Sequence, residues 1–181
     1  PRTIFVNSMS DLFHEQVPFS FIKRVFDTME KANWHTFQIL TKRPHLMRQF
    51  TNEYYNKILP NVWLGTSIEN DRVLYRLREL KKVKAAIRFI SFEPLLGPVG
   101  KVNLKGVHWV IVGGESGKHH RPIEKEWIYE IRRQCRKYGA AFFFKQWGGL
   151  TSKSGGRTLD GRIYDEYPNV KLIIPKITNY L

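Results

Sequence analysis

Ile87-Arg88-Phe89-Ile90-Ser91-Phe92-Glu93-Pro94 is an apolar run that ends on a carboxylate. Its apolar residues are near-continuous instead of alternating, the pattern of a parallel strand covered on both faces. The same unit recurs on either side. Runs of strand composition occupy residues 3–9, 36–40 and 62–66 before it, and residues 107–112 and 141–144 after it.

Between several of these runs lie helical stripes. Phe21, Ile22, Val25, Phe26 and Met29 share one helical face behind Pro18 and Ser20, which suit a helix start. Leu46, Met47, Phe50 and Tyr54 follow Pro44, and Val73, Leu74, Leu77 and Leu80 follow a cap at Asn70 or Asp71. Trp127, Ile128, Ile131 and Cys135 form the last stripe, closed by Gly139. Cys135 therefore reads as a core residue. Strands alternating with helices imply right-handed βαβ units on a parallel sheet. Residues 94–106, with their Pro, Gly and Lys, read as an irregular excursion. Residues 150–162 read as a mobile loop or linker, and the apolar run 170–174 as a cover for the barrel or an added strand.

Composition narrows the class. A chain of 181 residues, 42% hydrophobic and 14% aromatic, suits one globular domain and not a disordered segment. No run approaches the roughly 20 apolar residues of a membrane span, and the N-terminus lacks a signal-peptide pattern. The sequence starts at Pro1 and almost at once enters Ile4-Phe5-Val6, so an upstream segment with a first strand is expected. The single cysteine excludes an internal disulfide and an all-cysteine metal site, and is compatible with a reducing cytoplasm. No spacing of His, Asp and Glu matches a zinc motif, so no metal ligand is assigned. A net charge of +14 favours a polyanionic partner, nucleic acid or nucleotide.

The residues after each strand carry the chemistry. Asn7, Ser8 and Asp11 follow the first run, Lys42 and Arg43 the second, Ser67 and Glu69 the third. Glu93, then Glu115 and Ser116, then Lys145 and Gln146 follow the others. Strand ends of a parallel barrel converge on one mouth, whereas an open doubly wound sheet gathers them near one switch point. Six polar edges favour an α/β fold: a partial (β/α) TIM-like barrel with outer helices over residues 1–149, and a loop and tail packing on it over 150–181.

Each tip has its own reading. Lys42 and Arg43 suit a carboxylate or phosphate, one as a point charge and the other as a planar fork, or equally a solvated helix entrance. Glu93, set by the following proline, suits ligand bonding or acid–base work, or a buried salt bridge to Lys or Arg inside the barrel. Gly113-Gly114-Glu115 offers backbone that can approach a ligand, or simply a tight turn; it lacks the spacing of a dinucleotide or P-loop motif. His119, His120 and Arg121 could hold anions but read more simply as solvated. Trp147 suits stacking on a base, with Gln146 bonding its edge, or capping the core.

Several of these segments together carry a resemblance. Phe5-Val6-Asn7-Ser8-Met9-Ser10-Asp11-Leu12-Phe13, Leu40-Thr41-Lys42-Arg43-Pro44, Asn61-Val62-Trp63-Leu64-Gly65-Thr66-Ser67, Phe92-Glu93-Pro94-Leu95, Gly113-Gly114-Glu115-Ser116-Gly117 and Phe144-Lys145-Gln146-Trp147-Gly148 form the set. The set resembles a bacterial and bacteriophage family of unknown function that looks related to radical S-adenosylmethionine (radical SAM) enzymes. Its members sometimes accompany a separate three-Cys-motif partner protein. The resemblance covers roughly residues 1–168.

It implies a [4Fe–4S] cluster on three thiolates with one iron open to S-adenosylmethionine. In that family the cysteines lie N-terminal to the equivalent of Pro1, so they are expected in the full-length protein, unless this version has lost the chemistry. The Gly-Gly-Glu element of radical SAM enzymes follows the second strand, whereas Gly113-Gly114-Glu115 follows a late one, so its role is not carried over. By strand position, Asn7 and Ser8 fall nearer the amine of S-adenosylmethionine, and Ser67 and Glu69 nearer its ribose. A 5′-deoxyadenosyl radical would then abstract hydrogen from a substrate in the mouth. The expected catalytic set is Glu93, Glu115 and Lys145; the expected substrate-binding set is Asp11, Lys42, Arg43, Gln146 and Trp147. Two alternatives stay open: a non-enzymatic nucleic-acid-binding module using Trp147, and a metal-independent barrel enzyme holding a phosphorylated small molecule on Lys42 and Arg43.

Overall fold

Strands apolar on both faces need two apolar layers against them, and the chain supplies both. The computed structural model describes residues 1–7 and 9–170. Strands β1 (Thr3–Val6), β2 (Thr36–Thr41), β3 (Val62–Ser67), β4 (Ile87–Phe92), β5 (Trp109–Gly113) and β6 (Ala141–Gln146) form one sheet in sequential order. Every neighbouring pair is parallel. The sheet is a curled half-barrel flanked by helices α1 (Phe19–Lys31), α2 (Pro44–Gln49), α3 (Tyr75–Leu80) and α4 (Lys125–Tyr138). Among the described residues no helix is long and apolar enough to cross a membrane.

Successive strand residues point to opposite faces. On the helix side, Ile39, Leu64, Ile90, Val110 and Phe144 join one core with Ile22 and Phe26 of α1, Leu77 and Leu80 of α3, and Ile128 and Ile131 of α4. On the concave side a second, aromatic cluster contains Trp63, Ile87, Phe89 and Trp109, with Leu40, Ile111 and Phe143 against it. Trp109 meets Trp63 and Phe143 edge-on, at 5.8 and 5.9 Å between ring centres. Gly65 of β3 stands beside Phe89 of β4 in register, and the ring occupies the space its side chain would need.

All six strand runs form strands, with shifted ends. β1 stops at Val6 because Asn7 adopts a left-handed backbone, φ 59°, which an extended strand cannot continue. β6 runs on to Gln146, so Lys145 and Gln146 are strand residues, and their neighbours alternate between the two faces. Asn70 is the cap: its side chain accepts from the Arg72 N–H and starts a 3₁₀ turn that leads into α3. The stripe from Leu46 begins in α2 and finishes in a π-helical turn over Phe50–Tyr54. Residues 94–106 hold neither helix nor strand and are pinned by buried Val99, Val102 and Leu104.

The segment read as a mobile loop needs correction. Within residues 150–162 lies β7 (Thr158–Leu159), which pairs antiparallel with β8 (Arg162–Ile163). Asp160 and Gly161 turn between them with φ of 52° and 71°, values an Asp-Gly hairpin turn supplies. In the sequence that pair is outweighed by the Gly- and Ser-rich run before it. The chain after the hairpin lies antiparallel along β6, with Phe144 N–H donating to Tyr164 O at 2.8 Å. It covers what would be a bare sheet edge. Of the apolar run 170–174, Val170 packs on the concave cluster, and residues 171–174 lie outside the described residues, as does Ser8.

Candidate active site

Six parallel strands bring their C-terminal ends to the same side of the sheet, and two charged groups assemble there. The first joins β1, β2 and β3. The Asp11 carboxylate accepts from Thr41 Oγ1 at 2.7 Å, the Lys42 N–H at 3.2 Å, the Phe13 N–H at 3.0 Å and Arg43 Nη1 at 3.1 Å. Next to it, Lys42 Nζ lies 2.9 Å from Glu69 Oε1 and Arg76 Nη1 lies 2.9 Å from Glu69 Oε2. Arg76 also donates to Ser67 O at 2.9 Å. Burial pushes the Glu69 carboxyl up, but the hydrogen bond and charges of Lys42 and Arg76 outweigh it and hold the group below the usual carboxylate range. Glu69 Oε1 is buried, and its charged neighbour is the Lys42 ammonium. Asn7, Asp11, Lys42, Arg43 and Ser67 line a cup of about 490 Å³.

The second group joins β4, β5 and β6. Lys145 Nζ sits 2.8 and 3.0 Å from the two Glu93 oxygens. Gln146 Nε2 reaches Glu93 Oε1 at 3.4 Å, Ser116 Oγ at 3.0 Å and Gly114 O at 3.2 Å. Glu93 and Lys145 stand on the wall of a cavity of about 230 Å³ that runs into the half-barrel, with Gln38, Ser91, Phe89 and Trp109 also lining it. Gly113 leaves room for the carboxylate, since a Cβ there would lie 3.2 Å from Glu93 Cδ.

Gly114 and Gly148 serve backbone packing. A Cβ on Gly114 would stand 1.9 Å from Trp147 O, and one on Gly148 would stand 2.1 Å from Glu115 O. Instead the two loops zip together, with Gly114 N–H on Gln146 O and Gly149 N–H on Glu115 O, both at 2.9 Å. Gly114 thus serves neither a ligand nor a left-handed turn: it lets the backbone of Trp147 come close.

Two expected site residues have partners of their own. Both Glu115 oxygens bond to Arg121, from Nη2 at 2.6 Å, Nε at 2.8 Å and the backbone N–H at 2.9 Å, which holds the carboxyl at about 2. Trp147 packs edge-on to Phe144, 5.0 Å between ring centres, on the helix side of the sheet. Its Nε1 donates to Thr158 O at 2.7 Å and ties the hairpin to the end of β6. Trp147→Phe keeps an aromatic ring beside Phe144 but loses the pyrrole half of the indole and with it that bond. It is expected to cost about 1 kcal/mol and to speed amide exchange and proteolysis within residues 150–163 without changing the rest of the protein.

Sequence reasoning missed Arg76 and Arg157, and named Ser116 only as a polar strand tip. Arg76 gives no local signal, because the helix carrying it reads only through its apolar stripe. Arg157 lies 5.2 Å above the Phe143 ring with buried Nε and Nη2 lacking hydrogen-bond partners. No group of three or more His, Cys, Asp and Glu among the described residues could hold a metal ion.

The fold and its rim define a class: a parallel α/β half-barrel with opposed charges gathered at the strand C-termini. The chain belongs to the family described as a protein of unknown function, DUF5131, whose model matches residues 1–168. No curated protein and no solved structure gave a match.

Proposed function

We propose that this rim is the active site of a radical-SAM-like barrel enzyme acting on a phosphate-bearing substrate, a nucleotide or nucleic acid. One observation carries the reading: Lys42 on Glu69 and Lys145 on Glu93, from four different strand ends, stand at the same end of one aromatic-floored interior. Charges delivered by separate strands to a shared mouth are what barrel catalysis uses.

In this reading Lys42 and Arg43 take the phosphate. Lys42 has a side chain 59% exposed and can exchange Glu69 for an incoming anion. Glu93 and Lys145 are the acid–base pair over the interior, with a carboxylate able to accept a proton beside an ammonium able to give one. Gln146 orients Glu93, and Asp11 holds the β1 and β2 loops in place. Glu115, ionised throughout, presents Arg121 at the rim as a further anion contact.

S-adenosylmethionine fits the cup beside β1. Asn7 and Ser67, which line the cup, would hold it, and Glu69 beside them would accept from a ribose hydroxyl once Lys42 moves off its Oε1. When bound, the cofactor supplies an activated sulfonium carbon. The residues of this chain do not fit a [4Fe–4S] cluster. Its single cysteine, Cys135, is on the buried face of α4, and burial pushes the thiol up to about 12. No step through a cluster follows from these residues.

Titrating the protein with S-adenosylmethionine by calorimetry should show one site, and Glu69→Gln should weaken it about tenfold by weakening a charge-assisted hydrogen bond. Undetectable binding would remove the cofactor part of the proposal. Full-length protein purified without oxygen, with and without a three-Cys-motif partner, is expected to carry iron and sulfide and to release 5′-deoxyadenosine. Iron-free protein that releases none would remove the radical-SAM class and leave a barrel enzyme of another kind.

A further inference from the structure

A groove of about 550 Å³ runs along the outside of the molecule between the α3 region and the irregular segment after β4. Arg72, Arg78, Lys81 and Lys101 line it, and Asp71 is the acid on its wall. The other acids of that region are already engaged: Glu69 by Lys42 and Arg76, Glu79 by Arg48 and Lys82, and Glu130 by Arg133. Four cations therefore face the groove against one carboxylate. Burial and the charge of Lys105 hold Lys81 below the usual lysine range, as befits a cation short of anions.

The groove also carries an aromatic. Tyr75, 47% exposed, lies on the same wall, between Arg72 and Arg78 in the chain. Arg72, Tyr75, Arg78 and Lys81 recur at every third position, a spacing that keeps side chains on adjoining parts of one helical surface. Cations alone would suit an acidic protein or an anionic membrane equally well. Cations interleaved with an exposed ring suit a strand that has both phosphates and flat bases.

We propose that this groove binds single-stranded nucleic acid, with phosphates on Arg72, Arg78, Lys81 and Lys101 and a base stacked on Tyr75. The proposal stands apart from the reaction at the rim and does not require it.

Fluorescence anisotropy with end-labelled (dT)20 and (U)20, over roughly 50–200 mM KCl, tests it. The Arg72→Ala/Arg78→Ala/Lys81→Ala/Lys101→Ala protein should bind at least about tenfold more weakly at the lowest salt. Its salt slope should fall by roughly 3, since each phosphate contact on a single strand contributes about 0.7. Tyr75→Ala should weaken binding about tenfold and leave the slope unchanged, because stacking releases no counterions. A control lacking Lys23, Lys31, Lys57 and Lys137 removes the same charge elsewhere and should bind within about twofold of wild type. If the fourfold groove variant does not fold, Arg78→Glu and Tyr75→Ala carry the comparison. No binding by the wild-type protein, equal weakening by the control, or displacement by polyglutamate as readily as by unlabelled (dT)20 would each overturn the proposal.

Discussion

Gly65→Ala is expected to destabilise the fold by about 3 kcal/mol, the upper end of the usual overpacking cost. Its new Cβ would stand 2.5 Å from the Phe89 ring, which is fully buried. The ring cannot retreat freely, because it lies 5.7 Å from Trp109 between ring centres inside the concave cluster. Phe89→Ala alone should cost roughly 3–5 kcal/mol as a cavity. Combined, the two changes should cost at least 1 kcal/mol less than their sum, since the cavity accepts the new methyl. Urea unfolding of the four proteins with a common m-value reads the cycle. Additive costs would mean that the Phe89 ring does not occupy the Gly65 face. The consequence reaches function, because Phe89 also lines the interior cavity below Glu93 and Lys145.

Arg76→Ala should cost about 3 kcal/mol, the low end of the range for removing one partner of a buried ion pair, because Lys42 remains as a second partner of Glu69. Side-chain exposures of 12% for Arg76 and 13% for Glu69 place this pair well inside the rim, where salt screens little. The loss also frees Ser67 O. Its pH dependence has a definite sign. The folded pKa of Glu69 lies below its unfolded value, so the carboxylate contributes stability above that unfolded value. The contribution fades as pH falls through the lower, folded value. The gap between wild type and Arg76→Ala should therefore be widest near neutrality and narrow on the acid side of about pH 4. A gap that stays constant from pH 7 to pH 3 would show that Glu69 is not the group responsible. S-adenosylmethionine titrations on the same variant separate stability from binding, since loss of Arg76 leaves Glu69 Oε1 in place.

Legibility in the sequence differed by the range of the interaction. The apolar stripes of α1 and α4, the Asn70 cap and the Gly139 helix end are local, and each could be read from a few residues. The Asp160-Gly161 hairpin is equally local but was masked by its Gly- and Ser-rich neighbour. For Trp147 the base-stacking and core-capping readings could not be separated in sequence. Its choice of Thr158 as partner depends on a hairpin eleven residues away folding back. Glu115 and Glu93 looked alike, each a carboxylate just past a strand. Arg121 engages one and Lys145 the other, and neither partner is implied by the residues beside them.

The order of strands and helices, and the recurrence of a polar tip after each apolar run, were set by the chain alone, because backbone periodicity and two-sided burial are properties of neighbouring residues. Which tips meet was not. Lys42 with Glu69, Arg76 with Glu69, and Lys145 with Glu93 are joined by sheet register, the curl of the half-barrel and the fold of the loops. Those determine distances between residues as far apart as 52 positions, and no local pattern encodes such distances.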